Sequence, residues 1–214
     1  MIKALRFLTP AIFIPLALMS GQTLAQEDDI PRYEKNYIGI YYTGFQHRSV
    51  GLRTRERGWE DGGTLVLGGH LSDYFHAEFR GGAGEADSEV DNGLRLEIDY
   101  FASWYMGMHY PVTPWANIYA QFGFSHIRGE ASMSPAPVDP PDTEPSQRTP
   151  DPNAQYRHME GDFPASTFAF SWIAGADLEL FSDMYFVLEG GRLFKDTESE
   201  VSTYQFSGGF RYEF

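Results

Sequence analysis

The sequence feature that most constrains the fold is a sixteen-residue run of two-residue alternation from Leu94 to His109. Every even-numbered position is apolar, and the odd positions Arg95, Glu97 and Asp99 are charged. Side chains two residues apart share one face of a β-strand, so the run predicts a strand and not a helix. Strands of soluble proteins usually span about 5–6 residues, whereas a tilted strand that crosses a bilayer needs about 9–11. The length therefore favours a membrane-crossing strand.

Similar alternation recurs along the chain, with aromatic residues on one face and polar residues on the other. These segments are 75–84, 117–127, 166–180 and 203–214, with three less regular ones at 36–47, 64–71 and 185–195. The segment 36–47 is apolar on both faces, and the face of Ile38, Ile40 and Tyr42 is expected to point outward. A small barrel cannot hold so many rings inside, so we predict that the apolar faces meet lipid and the polar faces line the lumen. A bulge at Gly190-Gly191 is expected to turn both Glu189 and Arg192 inward.

The predicted fold is all-β, an eight-stranded antiparallel up-and-down transmembrane β-barrel over residues 37–214. Its predicted connections alternate between tight turns and longer polar loops around 48–62, 85–93, 128–165 and 195–202, the longest being the proline-rich third loop, 128–165. Short turns at the periplasmic end and long loops outside are typical of outer-membrane barrels. Both ends of the barrel domain are therefore expected in the periplasm.

Residues 1–25 carry the pattern of a secretory signal peptide. Lys3 and Arg6 make the start basic, and an apolar run follows that is shorter than the roughly 20 residues of a spanning helix. Residues 26–36 are then a short periplasmic N-terminal segment. An uncleaved N-terminal anchor is the alternative interpretation.

Charge narrows the range of partners. The formal net charge is −14, which disfavours nucleic-acid binding because phosphates would be repelled. The chain has no cysteine, so neither a disulfide nor a thiolate site is possible.

With the strands placed, the sequence resembles the OmpA/OmpX-type family of eight-stranded outer-membrane β-barrels. The resemblance rests on the last strand, residues 204–214, which ends on Phe214, and on the turn-strand phrase at 71–78. It implies residence in a Gram-negative outer membrane, among its lipid and lipopolysaccharide. It also implies delivery by periplasmic chaperones and insertion by the barrel-assembly machinery, with Tyr212 and Phe214 as the assembly signal. No peptidoglycan-binding domain of the OmpA kind is expected after the barrel.

Charged residues on the inward faces are expected to pair, since buried charges are costly alone. The predicted lumen salt-bridge network comprises Glu78, Arg80, Glu97, Asp99, Asp177, Glu179, Glu189 and Arg211. Carboxylates outnumber the inward arginines in this set, even with Arg95 included. Narrow ion or small-ligand passage through the lumen therefore stays open as an alternative function.

Three lumen histidines, His70, His76 and His109, are expected near the periplasmic end and are weak candidates for metal ligation. No fourth ligand is evident, so we predict neither a metal site nor a cofactor. A catalytic site of the lipid A-modifying kind would need a serine and a histidine within hydrogen-bond reach. Only His126, with Glu130 and Ser132, comes near that requirement, and no enzymatic activity is predicted.

The outer surface is where the sequence places binding. Arg53, Arg55 and Arg57, beside Trp59, are candidates for contacting lipopolysaccharide phosphates. The loop 128–165 is a second candidate surface, because long loops on a rigid scaffold commonly bind partners. We therefore predict a structural or surface-interaction role, in envelope integrity or adhesion, without catalysis. Ion passage and lipid A modification are the alternatives, and the sequence names no extracellular partner.

Overall fold

The computed structural model describes residues 32–50, 56–85, 88–90, 94–133, 135–140, 160–197 and 201–214, together with 144, 149–151, 154 and 157. All of them belong to the unit Pro31–Phe214. The predicted signal peptide, residues 1–25, lies outside the described residues. No helix in the described part of the chain is long and apolar enough to cross a membrane.

In the described part of the chain, ten strands follow a short 3-10 helix at Arg32–Glu34. They are β1 Asn36–Val50, β2 Glu56–His70, β3 Phe75–Gly84, β4 Ser88–Val90, β5 Leu94–Thr113, β6 Ala116–Met133, β7 Gly161–Phe163, β8 Ala169–Phe181, β9 Met184–Lys195 and β10 Ser202–Glu213. The eight long strands pair in the order β5-β3-β2-β1-β10-β9-β8-β6, and β5 pairs with β6 to close the ring. The predicted closed, antiparallel eight-stranded barrel is confirmed. The short β4 and β7 extend the wall beside β5 and β6.

The first and last strands are joined at the end that carries the tight turns. Asn36 and Phe214 exchange two backbone N–H···O bonds of 2.8 Å, which extend the pairing of β1 with β10. The turn after β2 is fixed by the Ser72 hydroxyl, which accepts bonds from the backbone N–H groups of Tyr74 and Phe75. Asp183, in the turn after β8, has a φ of 65° and bonds Lys35 at 2.6 Å. Short connections are typical of the periplasmic end of outer-membrane barrels, so the end that carries them is here called the periplasmic end.

Several strands are longer than the sequence predicts. β5 has 20 residues and β6 has 18. At a rise of about 3.3 Å per residue, 20 residues extend over roughly 65 Å, well beyond a hydrocarbon core of about 30 Å even when tilted. Residues 128–133, expected in the third loop, continue β6 and pair with β5. Residues 48–50 and 56–62, expected in the first loop, likewise belong to β1 and β2.

The wall therefore has two regions with opposite polarity. The lower region, here called the belt, turns apolar side chains outward on every long strand. Examples, one from each strand, are Ile40, Leu67, Phe79, Trp104, Phe122, Phe170, Leu188 and Phe210. The upper region, here called the extension, is built from the upper ends of β1, β2, β5 and β6 with β4 and β7. Its outward side chains include Arg57, Arg95, Glu97, Arg128 and Glu130, all exposed.

Inside the extension most of the core is apolar. One cluster contains Leu94, Leu96, Ala131, Phe163 and Val201. A second, just below it, contains Phe45, Ile98, Phe101, Ile127, Leu193 and Phe194. The charged exterior of the extension indicates that water surrounds this part of the wall. Apolar side chains are therefore buried inside it, as in a soluble barrel.

Two residues predicted to face the lumen, Glu97 and Asp99, face outward in the structure. Glu97 and Asp99 are exposed on the outer face, as is Arg95, while Leu94, Leu96 and Ile98 are 0% exposed. The cause is a bulge between Ile98 and Tyr100, which shifts the pairing with β6 by one residue. One extra residue exchanges the two faces of a strand, so the inward face of β5 changes parity at Asp99.

The predicted bulge at Gly190-Gly191 is also wrong. The register of β9 with β10 runs without interruption through both glycines, and the shift occurs between Thr203 and Tyr204. Glu189 points inward as expected, whereas Arg192 shares the outer face with Leu188 and Gly190. The glycines keep regular strand pairing.

Candidate functional site

The lumen of the belt is occupied by a buried ion cluster centred on Arg80. The guanidinium donates to Glu78 (Nε to Oε2, 2.8 Å), to both carboxylate oxygens of Glu189 and to Gln121 Oε1 at 3.1 Å. Arg80 lies on β3 and Glu189 on β9, so the pair joins opposite walls of the barrel. Arg80 is 1% exposed and Gln121 is 0% exposed, which leaves little room for water at this level.

Tyrosines complete this central ion cluster. Tyr37 Oη donates to Glu78 Oε1 at 2.8 Å, and Tyr119 Oη donates to Glu189 Oε2 at 2.6 Å. The guanidinium of Arg80 also lies 5.3 Å from the ring centroid of Tyr105. Each buried carboxylate therefore receives bonds from an arginine and a phenol, the arrangement that makes a buried ion pair tolerable. The sequence predicts all three residues in the lumen network, but it sets Arg80 against Glu97 and Asp99 and places Glu189 beside Arg211; in the structure Glu189 pairs with Arg80.

A second layer lies nearer the periplasm, around Arg211. Its guanidinium donates to Asp177 Oδ2 at 2.9 Å and to Glu213 Oε1 at 3.3 Å. Asn117 Nδ2 donates to the other oxygen of Asp177 at 2.6 Å. Glu179, also predicted in the network, lines a cavity of about 320 Å³ at the periplasmic mouth, which also contains Asp73 and Tyr185.

The three predicted histidines come together beside this layer. The ring centroids of His70 and His109 lie 5.1 Å apart, and those of His76 and His109 lie 5.4 Å apart. His76 Nδ1 is 3.2 Å from His109 Nδ1, and His70 Nε2 is 3.2 Å from Glu213 Oε1. Within the described residues no group of three or more His, Asp or Glu side chains is arranged to hold a metal ion. The cluster is a hydrogen-bonded part of the lumen packing.

Above the central ion cluster lies a layer of hydroxyl groups that sequence reasoning missed. On one side Thr43 bonds Thr64 at 2.7 Å and Ser207 at 3.0 Å. Across the lumen Ser125 accepts from Ser103 at 2.8 Å and donates to Ser171 at 2.9 Å; these six residues are called the hydroxyl layer. They separate the ion cluster below from the apolar core above. Small polar residues on inward positions of neighbouring strands were the available signal.

One buried carboxylate inside the extension was also missed. Glu60 is 2% exposed, accepts a bond from the backbone N–H of Ile98 at 3.0 Å, and lies 3.4 Å from His47 Nε2. Gly84 makes this possible, because a Cβ there would collide with the Glu60 carboxylate. Phe163 covers the pair from above, with its ring 5.9 Å from that of His47. The sequence prediction had assigned Glu60 to a loop.

Of the four predicted surface-binding residues, two lie in the described part of the chain. Arg57 and Trp59 lie on β2 and not in a loop, and both face outward. The ring of Trp59 meets that of Phe206 at 5.8 Å across β1. Arg53 and Arg55 lie outside the described residues.

The described residues of the third loop are held by local contacts. Thr149 donates two bonds to the Asp139 carboxylate, at 2.9 and 2.8 Å. Arg157 donates to Asp151 at 2.9 Å, and this bond raises the pKa of the Arg157 guanidinium above its ordinary value. Val138 is 95% exposed. The loop thus presents both an apolar side chain and charges to the medium.

The trio considered for catalysis is spread along one strand. His126, Glu130 and Ser132 all face outward on β6, and at about 3.3 Å per residue His126 lies about 13 Å from Glu130 and about 20 Å from Ser132. His126 Nδ1 instead bonds the backbone carbonyl of Thr167 at 2.6 Å. These three residues therefore lack the contact between nucleophile and base that the chemistry needs.

The predicted assembly signal lies at the periplasmic edge of the belt. Tyr212 and Phe214 both face outward, and their rings stack with centroids 6.3 Å apart. Because Phe214 also pairs with Asn36, the terminal strand both closes the barrel and exposes its last aromatic side chains.

Comparison with known proteins supports this architecture. The profile of the family described as outer membrane protein beta-barrel domain matches residues 11–214. No curated protein sequence matches the chain significantly. Ail of Yersinia pestis, solved with the heparin analogue sucrose octasulfate, is 12% identical over 84% of this chain and 98% of Ail, with a TM-score of 0.52. OprG of Pseudomonas aeruginosa is 9% identical over 86% of this chain and 97% of OprG, with a TM-score of 0.51. At these identities the likeness concerns the fold alone.

Proposed function

We propose that this chain, which belongs to the outer membrane protein β-barrel domain family, is a closed scaffold without catalytic activity that serves surface interaction. It resides in the bacterial outer membrane. Adhesion and envelope integrity are the two forms of that role. The observation that carries the proposal is the reversal of polarity between the belt and the extension.

The extension supports a surface role because it is a continuous wall outside the lipid. Its outer face is charged and its interior is apolar, so it is stable in water by the same burial that stabilises a soluble barrel. Interstrand pairing of β5 with β6 continues to the pair Leu94 and Met133. A rigid extension of this kind holds the loops away from the membrane surface.

The filled lumen supports a scaffold in preference to a channel. Arg80 bridges opposite walls, and apolar side chains fill the interior above the hydroxyl layer. Eight-stranded barrels have interiors that side chains just fill. Passage of ions would require the central ion cluster to open, at the cost of separating paired buried charges.

The third loop suggests the chemistry of an external partner. Residues 134–160 contain five carboxylates, two arginines and seven prolines. This acidic excess favours a basic or neutral partner surface. Ail, named for attachment and invasion, was solved with a sulfated ligand, and sulfate groups would be repelled by this loop. We therefore propose adhesion to a basic or neutral surface and not to a sulfated one.

During biogenesis we propose the partners that the resemblance implies: periplasmic chaperones, the barrel-assembly machinery, and outer-membrane lipid with lipopolysaccharide around the finished barrel. The exposed aromatic pair Tyr212 and Phe214 at the end of β10 supports recognition of the terminal strand.

The test compares bacteria that lack the protein with bacteria that express it in three forms. These are the wild type, a variant with residues 134–160 replaced by a short Gly-Ser link, and a full-length variant in which the five loop carboxylates become amides. Adherence to cultured epithelial cells and survival in detergent are measured, after heat-modifiable gel migration has shown that each barrel is folded.

An adhesion role predicts that both loop variants adhere less than the wild type while detergent survival is unchanged. An envelope role predicts that only complete loss of the protein reduces detergent survival. If all four strains behave alike in both assays, the proposed function is wrong.

A further inference from the structure

A groove on the outer wall, remote from the lumen, has the features of a lipid site. It has a volume of about 590 Å³ and lies across β8, β9 and β10. Gly190 forms its floor, with Ala174 and Phe206 as the cross-strand neighbours of this glycine. Leu188 bounds the groove below, and the volume falls within the roughly 300–1,000 Å³ of typical ligand pockets. This feature is called the outer groove.

The outer groove lies at the upper edge of the belt. β9 rises from the periplasmic end, so Leu188 and Gly190 belong to the belt and Arg192 is the next outward residue above them. The row directly above the floor pairs Arg192 with Trp172 on one side and Tyr204 on the other. Amphipathic rings at such a position are typical of the membrane–water interface. The groove is therefore at the depth of the outer leaflet.

Arg48 lines the outer groove, and Arg192 lies in the row above its floor, between the lining residues Trp172 and Tyr204. The Arg48 guanidinium lies 4.3 Å from the ring centroid of Tyr204, and one of its donors bonds Gln46. Among the described residues, Arg192 Nε is buried and makes no hydrogen bond. An arginine has five N–H donors arranged for anionic oxygens, so a phosphate between the two guanidinium groups would supply acceptors for their outward N–H donors.

Charge distinguishes this sector of the wall from the others. Elsewhere near this level the outward charges are of both signs: the carboxylates Asp61 on β2, Asp99 on β5 and Glu130 on β6 accompany Arg57 on β2, Arg95 on β5 and Arg128 on β6. In the described part of the groove sector, the nearest outward charges are Arg48, Arg192 and the exposed Lys195. The carboxylate of Glu189 is turned into the lumen, where it binds Arg80.

We propose that the outer groove binds lipid A, the acylated and phosphorylated anchor of lipopolysaccharide. One acyl chain lies along Gly190 and Ala174, and a phosphate is bound between the guanidinium groups of Arg48 and Arg192. The inference rests on the proposed lipopolysaccharide surroundings of the barrel and is independent of adhesion by the third loop. It gives the barrel a preferred outer-leaflet lipid on one side.

The experiment uses the full barrel, folded in detergent and titrated with hexa-acylated lipid A. Native mass spectrometry counts the retained lipid, and the same lipid without its phosphates is titrated in parallel. We expect one retained lipid A per barrel and weaker binding of the dephosphorylated form. The double variant Arg48→Ser, Arg192→Ser should reduce the apparent affinity about tenfold or more, since it removes charge-assisted hydrogen bonds.

A second variant tests the acyl subsite without changing charge. Ala174→Trp fills the outer groove from a position that already carries a Cβ and faces lipid, so the fold tolerates it. Ala120→Trp, on the outward face of β6, is its matched control, and Arg128→Ser, also on β6, is the control for the arginines. Heat-modifiable migration confirms folding of every variant.

The expected result is loss of lipid A retention in both groove variants and wild-type retention in both controls. Equal retention by groove and control variants would overturn the proposal, as would equal binding of the dephosphorylated lipid. The adhesion assays of the loop variants do not involve the groove, so this proposal and the surface role can fail separately.

Discussion

Strands β1, β2, β5 and β6 run through both the belt and the extension, yet the two regions place apolar side chains on opposite faces of the wall. In the belt, Phe122 on β6 faces outward and Gln121 is buried; ten residues further along β6, Ser132 faces outward and Ala131 is buried. The alternation is the same in both regions, and the medium outside the wall decides which face is apolar. Lipid around the belt permits a charged lumen, whereas water around the extension drives an apolar one. A single strand can therefore pass from lipid into water, provided that the residues on its inward face change from polar to apolar.

The junction between the two regions is handled differently by different strands. On β6 the inward residues change from Gln121 and Ser125 to Ile127 and Ala131, while the odd-numbered positions face inward throughout. On β5 the bulge at Asp99 exchanges the faces, so the apolar series of even-numbered residues passes from the outside to the inside. The belt and extension can thus be joined either by a change in residue type or by a backbone irregularity.

The most severe way to break the comparison is to delete Asp99. Deletion removes the extra residue of the bulge, which would turn Leu94, Leu96 and Ile98 into water and Arg95 and Glu97 into the core. Exposure of each apolar side chain costs about 1.5–3 kcal/mol. We expect limited proteolysis to cleave the extension while the belt keeps its heat-modifiable migration. Asp99→Ala retains the extra residue and should resist protease like the wild type; equal resistance of the deletion would contradict the bulge account.

Removing the cation of the central ion cluster tests the belt alone. Arg80→Met leaves Glu78 and Glu189 buried without their arginine, which should cost about 3–5 kcal/mol of unfolding free energy. Urea unfolding from lipid vesicles measures the change. Adding Glu78→Gln and Glu189→Gln to the same variant should recover part of the loss. If Arg80→Met alone unfolds like the wild type, the cluster does not stabilise the lumen.

The same introduced charge should have unequal effects in the two regions. Ala120→Lys places an ammonium on the lipid face of β6, for which up to about 2–4 kcal/mol is expected, depending on depth. Ser132→Lys, on the same face of the same strand, lies in the extension and should change stability by about 0.5 kcal/mol or less. Urea unfolding from vesicles compares the two variants. Equal costs would mean that lipid covers the extension as well.

The smallest predicted effect sharpens the boundary between the charged and apolar interiors. Ser125→Ala removes the hydroxyl that links Ser103 to Ser171, leaving buried partners unsatisfied at a cost of about 1–3 kcal/mol. Ser132→Ala, exposed on the same strand, is the matched control and should be neutral in urea unfolding. A neutral Ser125→Ala would show that the hydroxyl layer is passive filling.

Much of the belt could be predicted from the sequence because its alternation is regular. The outward placement of Ile38, Ile40 and Tyr42 on β1 is confirmed, and the histidines at 70, 76 and 109 do share the periplasmic end of the lumen. Local pattern sufficed there, since one face of each strand meets lipid throughout.

The extension could not be predicted in the same way. The pattern of Leu94 to His109 contains no sign of a bulge, because an inserted residue is defined by its partner strand and not by its own sequence. The sequence predicts Glu60 in a loop, because its hydrogen-bond partners, the Ile98 N–H and His47, belong to other strands. Arg192 is predicted to point inward because the Gly190-Gly191 pair suggests a bulge. In the structure the register shift between β9 and β10 lies between Thr203 and Tyr204 instead.

The sequence by itself determined that this chain makes eight long antiparallel strands whose apolar faces cover a membrane, because period-two alternation and strand length are local properties. Only the tertiary structure decided where the membrane face ends. That boundary depends on bulges, on cross-strand partners and on which residues surround each carboxylate, and all three are relations between distant segments. The belt contains paired charges and the extension an apolar core because one closed barrel wall passes from lipid into water.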